Sequence, residues 1–224
     1  MEYLKGHWQL IAITAVVIAL WHSAFVLPLK IIVVFLHELS HALAAILTGG
    51  VVEDLSLSPA QGGHAVTRGG NTFLIFSAGY VGSLLLGLIL LLAALRTQAD
   101  RLVVGLCGVI TLAVTLLYVR DLFPLAFCTA TGAALLAAAR FLPRDANDMI
   151  LRVFGLTSMI YVPYDIYDDT IARSGLRSDA YMLAERFGGT AWLWGGVWLV
   201  LSLGVIFWCL RFGLGRESNI RFDR

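Results

Sequence analysis

Residues 72 to 95 carry no charged side chain, and a run of that length crosses the roughly 30 Å hydrocarbon core of a bilayer as one helix. Similar runs occupy 8 to 27, 31 to 48, 102 to 119, 122 to 139 and 188 to 210, with a shorter one at 149 to 164. A soluble fold has no surface to spare for so many apolar segments. Composition agrees: 59% of the 224 residues are hydrophobic and 14% are charged, against roughly a quarter charged in an average globular domain. The expected fold is an all-α polytopic membrane protein with six or seven transmembrane helices, multi-pass in a plasma or inner cell membrane.

The first run follows Lys5 as a signal peptide's would, but it is long and lacks a small-x-small cleavage site, so it is expected to be a retained helix. A formal net charge of +1 leaves no basic surplus for tracking phosphates, and nucleic acid is not an expected partner. Cys107, Cys128 and Cys209 are odd in number, lie in apolar runs and have no CxxC spacing, which argues against both a disulfide framework and a cysteine zinc site. The polar linkers are too short for folded extramembrane domains, so residues 1 to 224 read as a single integral domain. One linker reads as structured. Between Gly49 and Gly70, Leu55-Ser56-Leu57-Ser58 alternates, Pro59 to Gly63 supplies a turn, and His64 to Arg68 reads as a returning strand, giving a small β-hairpin.

His37-Glu38-Leu39-Ser40-His41 interrupts the second apolar run. One helical turn separates the two histidines, so both imidazoles project from one face and can share a Zn²⁺ at about 2.0–2.1 Å. Glu38 then stands beside the open coordination position as general base. Ionisable groups inside a membrane helix are costly unless they are paired or line a wet cavity, and three occur here within five residues. Two histidines leave a catalytic zinc one protein ligand short. Asp165, Asp168, Asp169, His22, His64 and Asp121 are the candidates at or near membrane depth. Asp165 is the first choice, because Pro163 just before it is expected to break or begin a helix and present the carboxylate at a helix end.

These residues resemble the site-2 protease family of intramembrane zinc metalloproteases, in its small, membrane-embedded bacterial and plant-type branch. Val33 to Ala42 matches the family's zinc helix, Ser77-Ala78-Gly79-Tyr80-Val81-Gly82 resembles its small-residue motif, and the Gly-rich loop between them is similar to its membrane-associated hairpin. Pro163-Tyr164-Asp165 resembles the segment bearing the third zinc ligand. The resemblance covers about residues 31 to 187 and implies that His37, His41 and Asp165 hold Zn²⁺ while Glu38 acts as base. In this reading 1–28 is an accessory first helix, 31–187 a protease-like core, and 188–224 the last helix and tail. Ile166 stands where the family has Gly, and Thr157, beside Ser158, stands where it has Asn. A hydroxyl at Thr157 or Ser158 is then expected to support the oxyanion.

The implied activity is hydrolysis of a peptide bond in a transmembrane or membrane-anchored protein substrate, within or beside the lipid bilayer. The competing readings are an inactive zinc-binding scaffold and, further off, a transporter or channel using His37, His41 and Asp165 as a transport site. Glu38 favours hydrolysis, since a base beside two ligands is unnecessary in a scaffold. Under a seven-span count, Lys5 falls on the hairpin's side of the membrane with Arg68, Arg120, Arg173, Arg177 and Arg186.

Overall fold

The computed structural model describes residues 2 to 173, 175 to 215 and 217 to 220. Helix α1 (Glu2–Gly6) and helix α2 (Trp8–Ala19) precede α3 (Leu27–Leu47), which begins with Pro28 in its first turn, where the missing N–H has no intrahelical partner to lose. Strands β1 (Val51–Leu57) and β2 (Gly63–Arg68) follow, then α4 (Thr72–Arg96), α5 (Asp100–Tyr118), α6 (Leu122–Phe141), α7 (Arg144–Tyr167), the short α8 (Asp179–Phe187) and α9 (Ala191–Trp208). Six of these helices, α3, α4, α5, α6, α7 and α9, are long and apolar enough to cross a membrane.

The run at 8 to 27 is not one span. Its helix stops at Ala19, where Leu20 to Val26 turn: the Ser23 hydroxyl donates to the Leu20 carbonyl (2.6 Å), and Trp21 swings against Tyr161 and Tyr164 of α7. Twelve residues rise only about 18 Å, too little for the bilayer core. Lys5 therefore leaves the hairpin's side; its carbonyl accepts from Asn219 Nδ2 (2.7 Å), beyond α9. The weak run at 149 to 164 is the middle of a longer helix. α7 passes through Pro163 unbroken and continues in a π turn, Asp168–Ala172. Dense packing of Tyr161, Val162 and Ile166, all buried, offsets the single hydrogen bond that Pro163 removes.

The centre of the bundle is α3, α4 and α7, and small residues set their spacing. A Cβ on Gly155 would fall 2.7 Å from the Gly87 carbonyl oxygen, and one on Gly82 2.6 Å from Ser40 Cβ, while Ser158 Oγ donates to the Ser83 carbonyl (2.8 Å). Close approach through glycine supplies the packing that a hydrophobic effect does not provide between helices in lipid. α5 and α6 pair in the same way at Gly108 and Gly132 and turn their other faces outward.

The hairpin leaves α3 through Gly49, whose φ of +84° is open to glycine at little cost. β1 and β2 pair antiparallel from Val51↔Arg68 to Leu57↔Gly63, with an irregularity between Val52 and Asp54. Leu55 and Leu57 are buried, and the hydroxyl of Ser56 donates to Asp121 just before α6, so β1 is fixed to the bundle. Asn71 caps α4, accepting from Leu74 N (3.1 Å).

Candidate metal centre

Lys30, Val34, His37, Glu38 and His41 recur along one face of α3, and all line a cavity of about 1380 Å³. Its other walls are β2, the start of α4, the far end of α7 and the start of α8.

Nε2 of His37 lies 3.0 Å, and Nε2 of His41 3.1 Å, from the same oxygen, Oδ2 of Asp179. His41 shows what this contact needs. Its Nδ1–H donates to the Ile75 carbonyl (2.7 Å), so in a neutral ring Nε2 is a lone pair facing a carboxylate oxygen. Two acceptors do not rest 3.1 Å apart without a cation or proton between them. Ligand atoms on a tetrahedral zinc stand roughly 3.3 Å apart when the bonds are about 2.0–2.1 Å, close to the spacing found. The Ile75 contact is the outer support expected of a metal-bound histidine. Tyr80 supports the other ring: it meets His37 edge-on at 4.7 Å between centroids and donates its hydroxyl to Asp169 Oδ2 (3.1 Å). The donor set fits zinc, with His37, His41 and Asp179 the residues that would hold it.

Asp179 reaches this depth on a short amphipathic helix. Ser178 caps α8 by accepting from Tyr181 N (3.3 Å), and Asp179, Ala180 and Leu183 form its buried face. Burial alone would push the Asp179 carboxyl up; with His41 and His37 protonated, their charges and hydrogen bonds outweigh burial and hold the group well below the usual carboxylate range. A metal ion in place of those protons would likewise favour the ionised carboxylate that ligation requires.

Glu38 is buried yet lines the cavity beside the two histidines. The first residue of β2 rests on it: a Cβ on Gly63 would lie 2.6 Å from Glu38 Oε1. Only glycine lets the strand come so close. β2, rather than β1, supplies the strand wall of the cavity, through Gly63 to Thr67. A two-stranded sheet leaves one edge of each strand unpaired, and the free edge of β2 therefore starts at Glu38 and runs toward the C-terminal end of α3, where Gly70 meets Thr48.

The other residues singled out from sequence take different places. Asp165 lines the cavity but is not in the group of converging ligand atoms, where Asp179 stands instead. Because Pro163 does not end the helix, Asp165 stays on the wall of α7. Asp168 and Asp169 line the cavity and pair with Arg173. His22 lies at the rim, His64 pairs with Asp54 (3.3 Å), and Asp121 is taken by Ser56. Neither hydroxyl expected to serve the oxyanion lines the cavity. Thr157 is fully buried, with no hydrogen-bond partner for Oγ1 among the described residues, and Ser158 is committed to the Ser83 carbonyl against Gly87. Asp179 went unread because it lies in a polar linker beyond α7. The usable signal was the cap Ser178 opening a helix whose buried face begins at that Asp.

Gly79 of α4 faces the ligand atoms. A Cβ there would lie 2.6 Å from His41 Nε2 and nearer still to His37 Nε2, about where a shared metal would sit. Gly79→Ala is expected to abolish zinc retention, whereas Gly204→Ala, with nothing within 4 Å of its added methyl, should leave zinc stoichiometry at the wild-type level by elemental analysis. Full zinc content in Gly79→Ala would contradict this placement of the metal.

No curated protein and no solved structure matches the chain. The model of the Peptidase M50B-like family matches residues 10–209, nearly the whole length, with the histidine pair, Glu38 and Asp179 all inside the match. The chain belongs to that family, a branch of the site-2 protease metallopeptidases, and is an integral membrane protein.

Proposed function

We propose that this protein is an intramembrane zinc metalloprotease that hydrolyses a peptide bond of membrane-spanning or membrane-associated protein substrates, as a multi-pass protein of the cell membrane. The observation that carries the reading is the convergence of His37 Nε2, His41 Nε2 and Asp179 Oδ2, with Glu38 on the same cavity wall. When bound, zinc supplies a Lewis acid for the scissile carbonyl and lowers the pKa of water. Glu38 receives the proton of the attacking water and passes it to the departing amine. His37 and His41, their rings braced by Tyr80 and the Ile75 carbonyl, keep their donor atoms aimed at one point.

A helical substrate has its carbonyls hydrogen-bonded and shielded, so it must be unwound before attack. The free edge of β2 supports a way to do this: a substrate segment added as a third strand would be held extended with its backbone running past Glu38. Ala65 pairs with Leu55 at a position that is not hydrogen-bonded across the hairpin, so its N–H faces the free edge. Ala65→Pro is expected to lower cleavage of an intact transmembrane substrate about tenfold or more with zinc content unchanged, and to affect a short unstructured peptide much less. Equal loss on both would indicate a damaged fold rather than lost strand pairing, and no loss on either would remove the hairpin from the mechanism.

The inactive-scaffold reading draws on one observation, the withdrawal of Thr157 and Ser158 from the cavity. Glu38 weighs more heavily against it, because burying a carboxylate beside the histidines has a cost that simple metal binding does not require. The test is cleavage of a panel of apolar and membrane-anchored peptides by purified protein, before and after zinc is removed with a chelator and restored. Activity lost and regained with zinc supports the protease. A fully zinc-loaded protein that cuts nothing in the panel favours the scaffold.

A further inference from the structure

Beyond the metal centre, toward the start of α3, the cavity meets a second charged group. Lys30 lies two turns before His37 on the same helix face and lines the same cavity, yet the residue is only 6% exposed. Its Nζ stands 4.3 Å above the ring of Trp21, and among the described residues no carboxylate lies within ion-pair distance. Trp21 itself stands against Tyr161 and Tyr164, which separates the ammonium from the acidic side of α7. The cavity's arginines, Arg173, Arg177 and Arg186, are exposed and lie at the opposite, α8 end. A buried ammonium inside a membrane helix is costly unless an anion or water meets it, and a cation–π contact offsets only part of that cost.

We propose that Lys30 is a specificity residue that binds a carboxylate of the substrate, either an Asp or Glu side chain or a chain-terminal carboxylate, on the far side of the scissile bond from the hairpin. The proposal rests on the protease reading above. β2 runs beside α3 from the Thr48 level to Glu38, so a strand added to it passes the metal centre and then heads along the α3 face toward Lys30. Seven helical residues from Lys30 to His37 span about 10 Å, or about three residues of extended chain at roughly 3.3 Å each. The recognised carboxylate therefore lies about three residues from the cut bond.

The probe is a blocked apolar octapeptide carrying one Glu at each position in turn, with the Gln counterparts and a version ending in a free carboxylate. Binding is measured on zinc-loaded Glu38→Gln protein, and cut sites on wild type by mass spectrometry. One Glu position, or the free-acid form, is expected to bind about tenfold or more tighter than its uncharged counterpart, and which of the two does so identifies the carboxylate's source. Lys30→Gln should erase that preference, Lys30→Arg keep it, and Lys30→Glu transfer it to a peptide with Lys at that position, all with zinc retained. Tight carboxylate-dependent binding without any cleavage by wild type would sink the protease reading while leaving Lys30's role standing. A carboxylate preference that is absent in wild type, or that persists in Lys30→Gln, overturns the proposal.

Discussion

Asp179→Ala is expected to lower zinc affinity at least ~100-fold and to eliminate cleavage, while Asp165→Ala keeps zinc at the wild-type level. The difference follows from geometry. Oδ2 of Asp179 stands 3.0 and 3.1 Å from the two histidine Nε2 atoms, and removing it leaves two nitrogen donors, too few to hold a catalytic zinc tightly. Asp165 belongs to the α7 wall of the cavity and has no place among the converging donor atoms. Losing Asp179 also leaves His37 and His41 facing an empty hole in the bundle, so each variant needs its helix content and thermal unfolding measured alongside elemental analysis. Well-folded Asp179→Ala protein with a full complement of zinc, together with Asp165→Ala protein that has lost it, would return the third ligand to α7.

Glu38→Gln separates binding from chemistry. The amide fills the same volume beneath Gly63 and removes only the proton acceptor, so zinc content should stay at one per chain while turnover falls about 10²–10⁴-fold. KM should change little, because the side chain serves the attacking water rather than the bound substrate. If Glu38→Gln retains most of its turnover on a confirmed substrate, the base lies elsewhere, and the acidic wall formed by Asp165, Asp168 and Asp169 becomes the place to look.

What the sequence reveals here depends on how local the determinant is. The zinc helix was legible because the His37–His41 spacing is set by one turn of one helix. The hairpin was legible because Leu55-Ser56-Leu57-Ser58 alternates and a Gly-rich turn follows. The break after Ala19 was not, since it depends on Trp21 finding Lys30 and the tyrosines of α7, contacts more than a hundred residues apart for the latter. Pro163 misled for a related reason: local chemistry says the helix ends there, and tertiary packing keeps it going. Asp179 is the most instructive case. Charge and position place it in a linker outside the membrane, and only the folding of α8 back against the bundle carries its carboxylate to two histidines over 130 residues earlier. Thr157 and Ser158 looked like hydroxyls for the oxyanion because they stand where the resemblance has Asn; in the fold Thr157 is fully buried and Ser158 is bonded to the Ser83 carbonyl, an arrangement set by packing against α4 that local sequence does not show.

Anomalous scattering at the zinc absorption edge from crystals of the zinc-loaded protein would locate the metal and its ligands. One strong peak is expected about 2.0–2.1 Å from His37 Nε2, His41 Nε2 and a carboxylate oxygen of Asp179, with the Glu38 carboxylate close by but outside bonding distance. A peak ligated by Asp165, Asp168 or Asp169 in place of Asp179, or one bonded directly to Glu38, would contradict it.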